Sequence, residues 1–200
     1  KSEQGKQTLQ KLIANADVMI ENMAPGAIER LGFGYEVVRK INPKIIFAQI
    51  KGFDSDGPYG KYLCFDTVAQ TAGAAVSITG VAGEPPVRPG PNLGDTGAGM
   101  HCAAGVLAAL CQRQQTGHGQ RVQVAMQEAV INFSRAAFAS HLALGHPPER
   151  RSDRGIYRCK GDGANDYCAT YAAEADNEQW RRLLRAIGKE DLNDDRRFEN

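Results

Sequence analysis

Apolar positions along the chain switch repeatedly between helical spacing and short unbroken runs. Over 8–14 the apolar Leu9, Leu12 and Ile13 share one helix face, and Asn15-Ala16-Asp17 then gives way to Val18-Met19-Ile20, which predicts a helix, a turn and a buried strand. Asn22 and Pro25-Gly26 open a second, short helix over 27–31, closed by Gly32 and Gly34. A third helix over 35–41 stops at Asn42-Pro43, because the residue before a proline avoids the helical region. The β-branched and aromatic segment 45–50 predicts an interior strand.

Residues 51–62 form a polar loop around Gly52, Gly57-Pro58 and Gly60, long for a connection inside a domain and therefore a place to look for function. A helix over 66–74 follows, then a Pro/Gly-rich connection over 80–94, then the clearest helix of the chain, over 96–114, with Gly117 as its stop signal. Polar and apolar residues alternate over 120–125 as in a strand, and 127–144 returns to helix. Helices alternating with short apolar strands predict an α/β fold, a Rossmann-like parallel sheet with flanking helices. The texture changes after residue 145. Segment 146–155 is rich in proline and arginine and reads as a linker. Beyond it, 156–160 and 167–172 read as strands around Gly161-Asp162-Gly163, followed by an amphipathic helix over 177–187. The expected organisation is a large domain over 1–145, a linker over 146–155 and the start of a small α+β domain over 156–200.

Composition narrows the partners. Two hundred residues with 42% hydrophobic content are enough for a real core. Lys and Arg number 24 against 23 Asp and Glu, a formal charge of +1, so there is no broad field for nucleic acid or an anionic membrane, and neither is expected as a partner. The longest mostly apolar stretch, 103–111, is far shorter than the roughly 20 residues that span a bilayer, which predicts a soluble chain. Five cysteines form an odd set with no CxxC and no Cys/His spacing suited to zinc. No metal site is expected, and a reducing compartment such as the cytoplasm fits. The chain opens on Lys1 rather than Met and stops without a terminal motif, so it reads as an interior slice of something longer.

Candidate chemistry centres on Gly94-Asp95-Thr96-Gly97-Ala98-Gly99-Met100, a carboxylate among glycines where the long helix begins. Two readings stand side by side. Asp is a preferred N-cap, and Asp95 would then only satisfy the first turn. Alternatively the helix dipole keeps Asp95 ionised while Gly94, Gly97 and Gly99 admit a bulky substrate, which suits a covalent nucleophile. A phosphate-cradling loop is not supported, since Gly-Lys-Ser/Thr and the GxGxxG spacing are both absent here. His101, His118, His141 and His146 lack metal or charge-relay spacing, and His101 reads as a packed polar residue inside the helix. Ala103, Ala104, Gly105, Ala108 and Ala109 give that helix a small-residue surface suited to close packing on another helix or chain. The basic stretches 150–158 and 181–185 are interrupted by acids and apolar residues and read as solvated faces or subunit contacts.

Five segments in order resemble the class III CoA-transferases. They are Glu21-Asn22-Met23-Ala24-Pro25-Gly26 with Leu31-Gly32-Phe33-Gly34-Tyr35, Ile50-Lys51-Gly52-Phe53, Gly57-Pro58-Tyr59, Gly94-Asp95-Thr96-Gly97 and Thr116-Gly117-His118-Gly119-Gln120-Arg121-Val122. Val68-Ala69-Gln70 and Ala125-Met126-Gln127-Glu128-Ala129-Val130 point more narrowly to the formyl-CoA:oxalate CoA-transferases. The resemblance covers nearly the whole chain and implies proteins about twice its length.

What it implies is a CoA-transferase with Asp95 as nucleophile. The aspartate attacks an acyl-CoA thioester to give an aspartyl anhydride, returns as an aspartyl-CoA thioester, and passes CoA to an acceptor acid; backbone N–H groups near the glycines would stabilise the oxyanions. Asn22, Met23, Arg30, Met126 and Lys1 match family positions around coenzyme A, with Arg30 the partner of its phosphates. The implied partners are an acyl-CoA and a small carboxylic acid, in an interlocked homodimer, with coenzyme A as substrate and product and no tightly bound cofactor. Two departures limit the carry-over. Phe65 stands where formyl-CoA transferases have tyrosine and where the related racemases have histidine. The interval 143–157 is too short for the family's glycine-rich flap. The competing readings are an acyl-CoA racemase of the same superfamily and a non-catalytic CoA-binding fragment.

Overall fold

The structure, a computed structural model, describes residues 2–150, 155–170 and 177–198. It divides into two compact units, Lys1–Arg150 and Arg151–Asn200. The first is built on a parallel sheet of β1 (Val18–Glu21), β2 (Ile46–Lys51) and β3 (Arg121–Ala125), in that spatial order. Central β2 has Ile46, Phe47 and Ala48 fully buried, as a strand covered on both faces requires.

Because side chains alternate along a strand, the register sorts the sheet into two unlike faces. Met19, Glu21, Phe47, Gln49, Lys51 and Gln123 share one face; Ile46, Ala48, Ile50, Val122 and Val124 share the other. The apolar half of the first face, Met19 and Phe47, packs against α1 (Glu3–Asn15), α2 (Ala27–Arg30) and α3 (Tyr35–Ile41) through Ile13, Ile28 and Val38. The second face lies under α4 (Asp66–Ala72), α5 (Leu93–Thr116) and α6 (Met126–Phe133), where Ile50 and Val124 meet Ala69, Ala98, Ala129 and Val130. This is the expected α/β architecture of a parallel sheet with flanking helices.

Local chemistry explains the boundaries. Asn42 is extended (φ −140°, ψ 96°), as its proline neighbour demands, and its Nδ2 donates to Ile13 O at 3.0 Å and Ala16 O at 2.9 Å, tying the end of α3 to the end of α1. Gly117 closes α5 at φ +74°, a conformation glycine adopts without strain. The single helix expected over 127–144 is two, α6 and α7 (Arg135–Leu144), separated at Ser134 (φ −89°, ψ 6°). The Arg135 guanidinium takes the Asn132 carbonyl at 3.0 Å, and Ala137 N closes a tighter turn on Ser134 O at 2.9 Å. Neither interaction leaves a trace in hydrophobic spacing.

The second unit contains an antiparallel pair, β4 (Ile156–Arg158) and β5 (Tyr167–Ala169), then α8 (Asn177–Ala186) and two 3-10 turns, Glu190–Asp194 and Arg196–Phe198. The first strand is shorter than 156–160 because the chain turns away at Gly161 (φ +150°), and Asp166 Oδ2 accepts from Gly163 N at 2.6 Å to close that turn. Residues 171–172 of the second expected strand lie outside the described residues.

Candidate active site

The carboxyl ends of parallel strands are where α/β sheets bind ligands. Here β1 runs into Asn22–Gly26, β2 into the loop 52–65, and β3 directly into α6. Asn22 and Met23 are exposed on the first of these loops. Gly26 takes φ +73° at the start of α2, and Arg30 folds back over it, with Nη1 3.4 Å from Pro25 O and only 2.8 Å from where a Cβ on Gly26 would sit. An exposed guanidinium therefore lies on the same short loop-helix unit as Asn22 and Met23. Met126, assigned by resemblance to the same role, starts α6 but is 6% exposed and packs among Ala69, Ala98 and Val130, so little of it is presented to a ligand. Lys1 lies outside the described residues.

Asp95 is not an N-cap. The helix begins at Leu93, three residues before the expected 96, with Asn92 in the capping position and no side-chain cap bond of its own. The capping carboxylate comes from α4 instead. Asp66 Oδ1 accepts from Gly94 N at 2.8 Å and from Asp95 N at 3.3 Å, while Oδ2 accepts from Gln70 Nε2 at 2.6 Å and from Arg88 Nη2 at 3.0 Å. Asp66 is 7% exposed, and those four donors account for its burial as an anion. Leu93 N bonds Pro91 O at 2.9 Å and Thr96 N bonds Asn92 O at 3.0 Å. The first-turn N–H groups of α5 are thus occupied, which leaves the backbone N–H groups expected to face an oxyanion to be sought elsewhere near the glycines. The Asp95 side chain is exposed, and among the described residues no hydrogen bond or ion pair reaches its carboxylate.

The glycines sort by use. A Cβ on Gly94 would lie 2.9 Å from Ala69 Cβ, and one on Gly97 would lie 2.4 Å from the Phe133 ring, so both exist to let α5 press on α4 and α6. Around Gly99 there is open space, and of the three only it fits the idea of room for a substrate. His101 is packed as expected: Asn132 Nδ2 lies 2.8 Å from its Nε2 and Gly97 O lies 2.7 Å from its Nδ1, which assigns the proton to Nδ1.

Cys64 connects Asp95 to the sheet. A Cβ on Gly52, the residue after β2, would lie 2.0 Å from Cys64 Cβ, so only glycine allows this approach. Burial pushes the Cys64 thiol pKa up, and the negative charges of Asp95 and then Asp66 push it further. The nucleophile candidate, its capping partner and the carboxyl end of β2 therefore share one neighbourhood. The loop leading there is aromatic: Phe53 and Tyr59 have ring centroids 5.6 Å apart, Tyr59 and Tyr62 6.1 Å, and Phe65, immediately before Asp66, is 79% exposed.

Sequence reasoning missed Asp66 and Arg88 as the groups that fix the start of α5, and it missed the buried ion pair of Lys51 with Glu21, 2.6 Å apart at the ends of neighbouring strands. A signal for the second was present in polar Gln49 and Lys51 at alternate positions of an otherwise apolar strand. Among the described residues no group of three or more His, Cys, Asp or Glu side chains could hold a metal ion, and no helix is long and apolar enough to cross a membrane.

Comparison with known proteins gives this geometry a context. The sequence matches CoA-transferase family III over residues 1–200. The chain belongs to that family. It is 39% identical over 215 aligned positions to a formyl-CoA:oxalate CoA-transferase of Streptomyces avermitilis, covering 98% of this chain and 52% of that protein. A formyl-CoA:oxalate CoA-transferase of Escherichia coli O157:H7 is 37% identical, with 96% and 51% covered. Among solved structures, a CAIB/BAIF family protein from Brucella suis superposes with a TM-score of 0.82 at 28% identity, covering 98% of this chain and 52% of that one. The chain spans about half the length of the curated relatives it matches.

Proposed function

We propose that this family III chain transfers coenzyme A from an acyl-CoA to a free carboxylic acid, with Asp95 as the covalent nucleophile. The observation that carries the reading is an exposed, unpaired carboxylate at a helix start whose backbone is pinned by a second, buried carboxylate, Asp66. A catalytic nucleophile must be free at its reacting atoms and fixed behind them, and Asp95 meets both conditions.

The steps balance without an external reagent. The Asp95 carboxylate adds to the thioester carbonyl and expels CoA thiolate, leaving a mixed anhydride. The thiolate then attacks the aspartyl carbonyl, releasing the donor acid as its carboxylate and leaving an Asp95–CoA thioester. The acceptor carboxylate attacks that thioester to form a second anhydride and free the thiolate again. Thiolate attack on the acceptor's acyl carbon yields the new acyl-CoA and restores Asp95. Thioester energy is conserved throughout provided that water is excluded. Asn22, Met23 and Arg30 are the proposed contacts to coenzyme A, Arg30 toward phosphate, with Met126 and Lys1 assigned by resemblance alone. The oxyanion donors must come from groups other than the first-turn N–H groups of α5, which Asp66, Pro91 and Asn92 already hold.

Formyl-CoA and oxalate belong to the relatives' names; for this chain the proposal stops at an acyl-CoA and a small carboxylate, because Phe65 puts no hydroxyl beside Asp66. The same phenyl ring offers no base for α-proton exchange, which disfavours a racemase. A homodimer and a reducing, cytoplasmic setting complete the proposal; free thiols at Cys102 and Cys111 are compatible with that setting. Asp95→Ala is expected to lose at least about a thousandfold in kcat while coenzyme A binding persists. Mixing the protein with an acyl-CoA and quenching should give a mass increase on the peptide carrying Asp95. Near-native turnover in Asp95→Ala would refute the assignment.

A further inference from the structure

The ends of β1 and β2 carry a buried polar cluster that the transfer chemistry leaves unused. Lys51 Nζ lies 2.6 Å from Glu21 Oε1, with the two side chains 8% and 3% exposed. The ammonium also donates to Met23 O at 2.8 Å, and Glu21 Oε2 accepts from Met23 N at 2.9 Å. Both backbone polar groups of Met23 are therefore held by one ion pair drawn from two neighbouring strands. The cluster continues across the sheet. Gln49 Nε2 donates to Glu21 Oε1 at 2.6 Å, and Gln49 Oε1 accepts from Arg121 Nε at 2.6 Å. Arg121 also donates to Gln123 Oε1, and Gln123 Nε2 donates to Asp54 Oδ1 at 2.9 Å in the loop after β2.

Stability is a poor reason for such a pair, since desolvation of two charges offsets their attraction and apolar residues of similar volume would fill the space as well. Apolar residues would not hold the N–H and C=O of Met23. We propose that Glu21 and Lys51 are positioning residues for coenzyme A: they fix the backbone at Asn22 and Met23 against the sheet, so that this loop meets the ligand already ordered. Pre-ordering a loop removes part of the entropy that binding would otherwise cost. The inference rests on the CoA-transfer reading, and its test separates the two.

Lys51→Met alone strands the Glu21 charge, so lost folding and lost binding would be mixed. The double variant Glu21→Gln/Lys51→Met removes both charges at nearly constant volume. It should recover most of the thermal stability that Lys51→Met loses, yet the dissociation constant for free coenzyme A, by calorimetry, and the KM for acyl-CoA should both rise about tenfold with kcat within about twofold. Asp95→Ala, measured alongside, should bind coenzyme A as the unsubstituted protein does. Should the double variant fail to fold, Glu21→Gln, which keeps shape but loses the charge and one of the two accepting oxygens, carries the same measurement. Native coenzyme A affinity in the folded variant overturns this inference alone, as does a fall in kcat at unchanged KM. An unsubstituted protein that binds no coenzyme A takes down both readings together.

Discussion

Met23 and Asp95 are both held through their backbones by carboxylates, but the two carboxylates are secured in different ways. Glu21 shares its charge with one buried ammonium and receives further hydrogen bonds from the Gln49 amide and the Met23 N–H. Asp66 has only a half-exposed guanidinium, Arg88, for a counter-ion, and takes two backbone N–H groups and the Gln70 amide besides. The first arrangement buries its counter-ion with the carboxylate; the second leaves the counter-ion half-exposed and leans on neutral donors. The loop proposed to meet coenzyme A is thus tied to the sheet through a buried ion pair, whereas the helix carrying the proposed nucleophile is tied mainly by neutral hydrogen bonds to one carboxylate.

That contrast is open to direct attack. Lys51→Met should cost about 3 kcal/mol of unfolding free energy, because it leaves a buried carboxylate without its counter-ion, and chemical denaturation reads the loss. Arg88→Met should cost much less, since three donors to Asp66 remain; equal losses in the two variants would erase the distinction. Next in size, Asp66→Ala should cost about 2 kcal/mol and lower kcat more than it raises KM, because the two N–H groups at the start of α5 lose their acceptor and Asp95 loses its fixed backbone. Asp66→Asn should fall between, as one oxygen still accepts.

A smaller effect concerns the glycines of the same helix. Gly97→Ala should cost about 1–2 kcal/mol, because its methyl would meet the Phe133 ring, while Gly99→Ala should be neutral or slightly stabilising in a thermal melt. The smallest is a rate. The Cys64 thiol pKa is raised by burial and then by the charges of Asp95 and Asp66, so Asp95→Asn should lower that pKa and speed alkylation of Cys64 at mildly alkaline pH by a few-fold. Unchanged alkylation would mean that Asp95 and Cys64 do not share a neighbourhood.

Much of the fold was legible because hydrophobic period and stop signals carry it. The helix Tyr35–Ile41 and its proline-imposed end, and the glycine closing α5, follow from local sequence and are found where expected. What escaped was set by contacts distant in sequence. The start of α5 was misplaced because Asp95 looks like a cap, whereas the cap is Asp66, 29 residues away. The break at Ser134 is the local exception, marked by the Arg135 guanidinium turning back onto the Asn132 carbonyl and by a tighter turn on Ser134 O, neither of which hydrophobic spacing records. Lys51 reads as the first residue of a polar loop, yet it is the last residue of the central strand and is buried by partners on β1 and the loop after it. Asp95 was singled out from its glycine-flanked setting, yet two of those glycines, Gly94 and Gly97, serve helix packing.

The close approach of Cys64 to Gly52 has an architectural consequence for the aromatic loop after β2. One end of that loop is stapled where β2 stops, and the other passes through Cys64 straight into Asp66, which is locked to α5. The residues between, Phe53 to Leu63 with Tyr59 and Tyr62 among them, therefore form a cassette clamped at both ends. Its side chains are therefore open to exchange with little strain passed to the helix that carries Asp95, so the aromatic surface and the proposed nucleophile are free to vary independently.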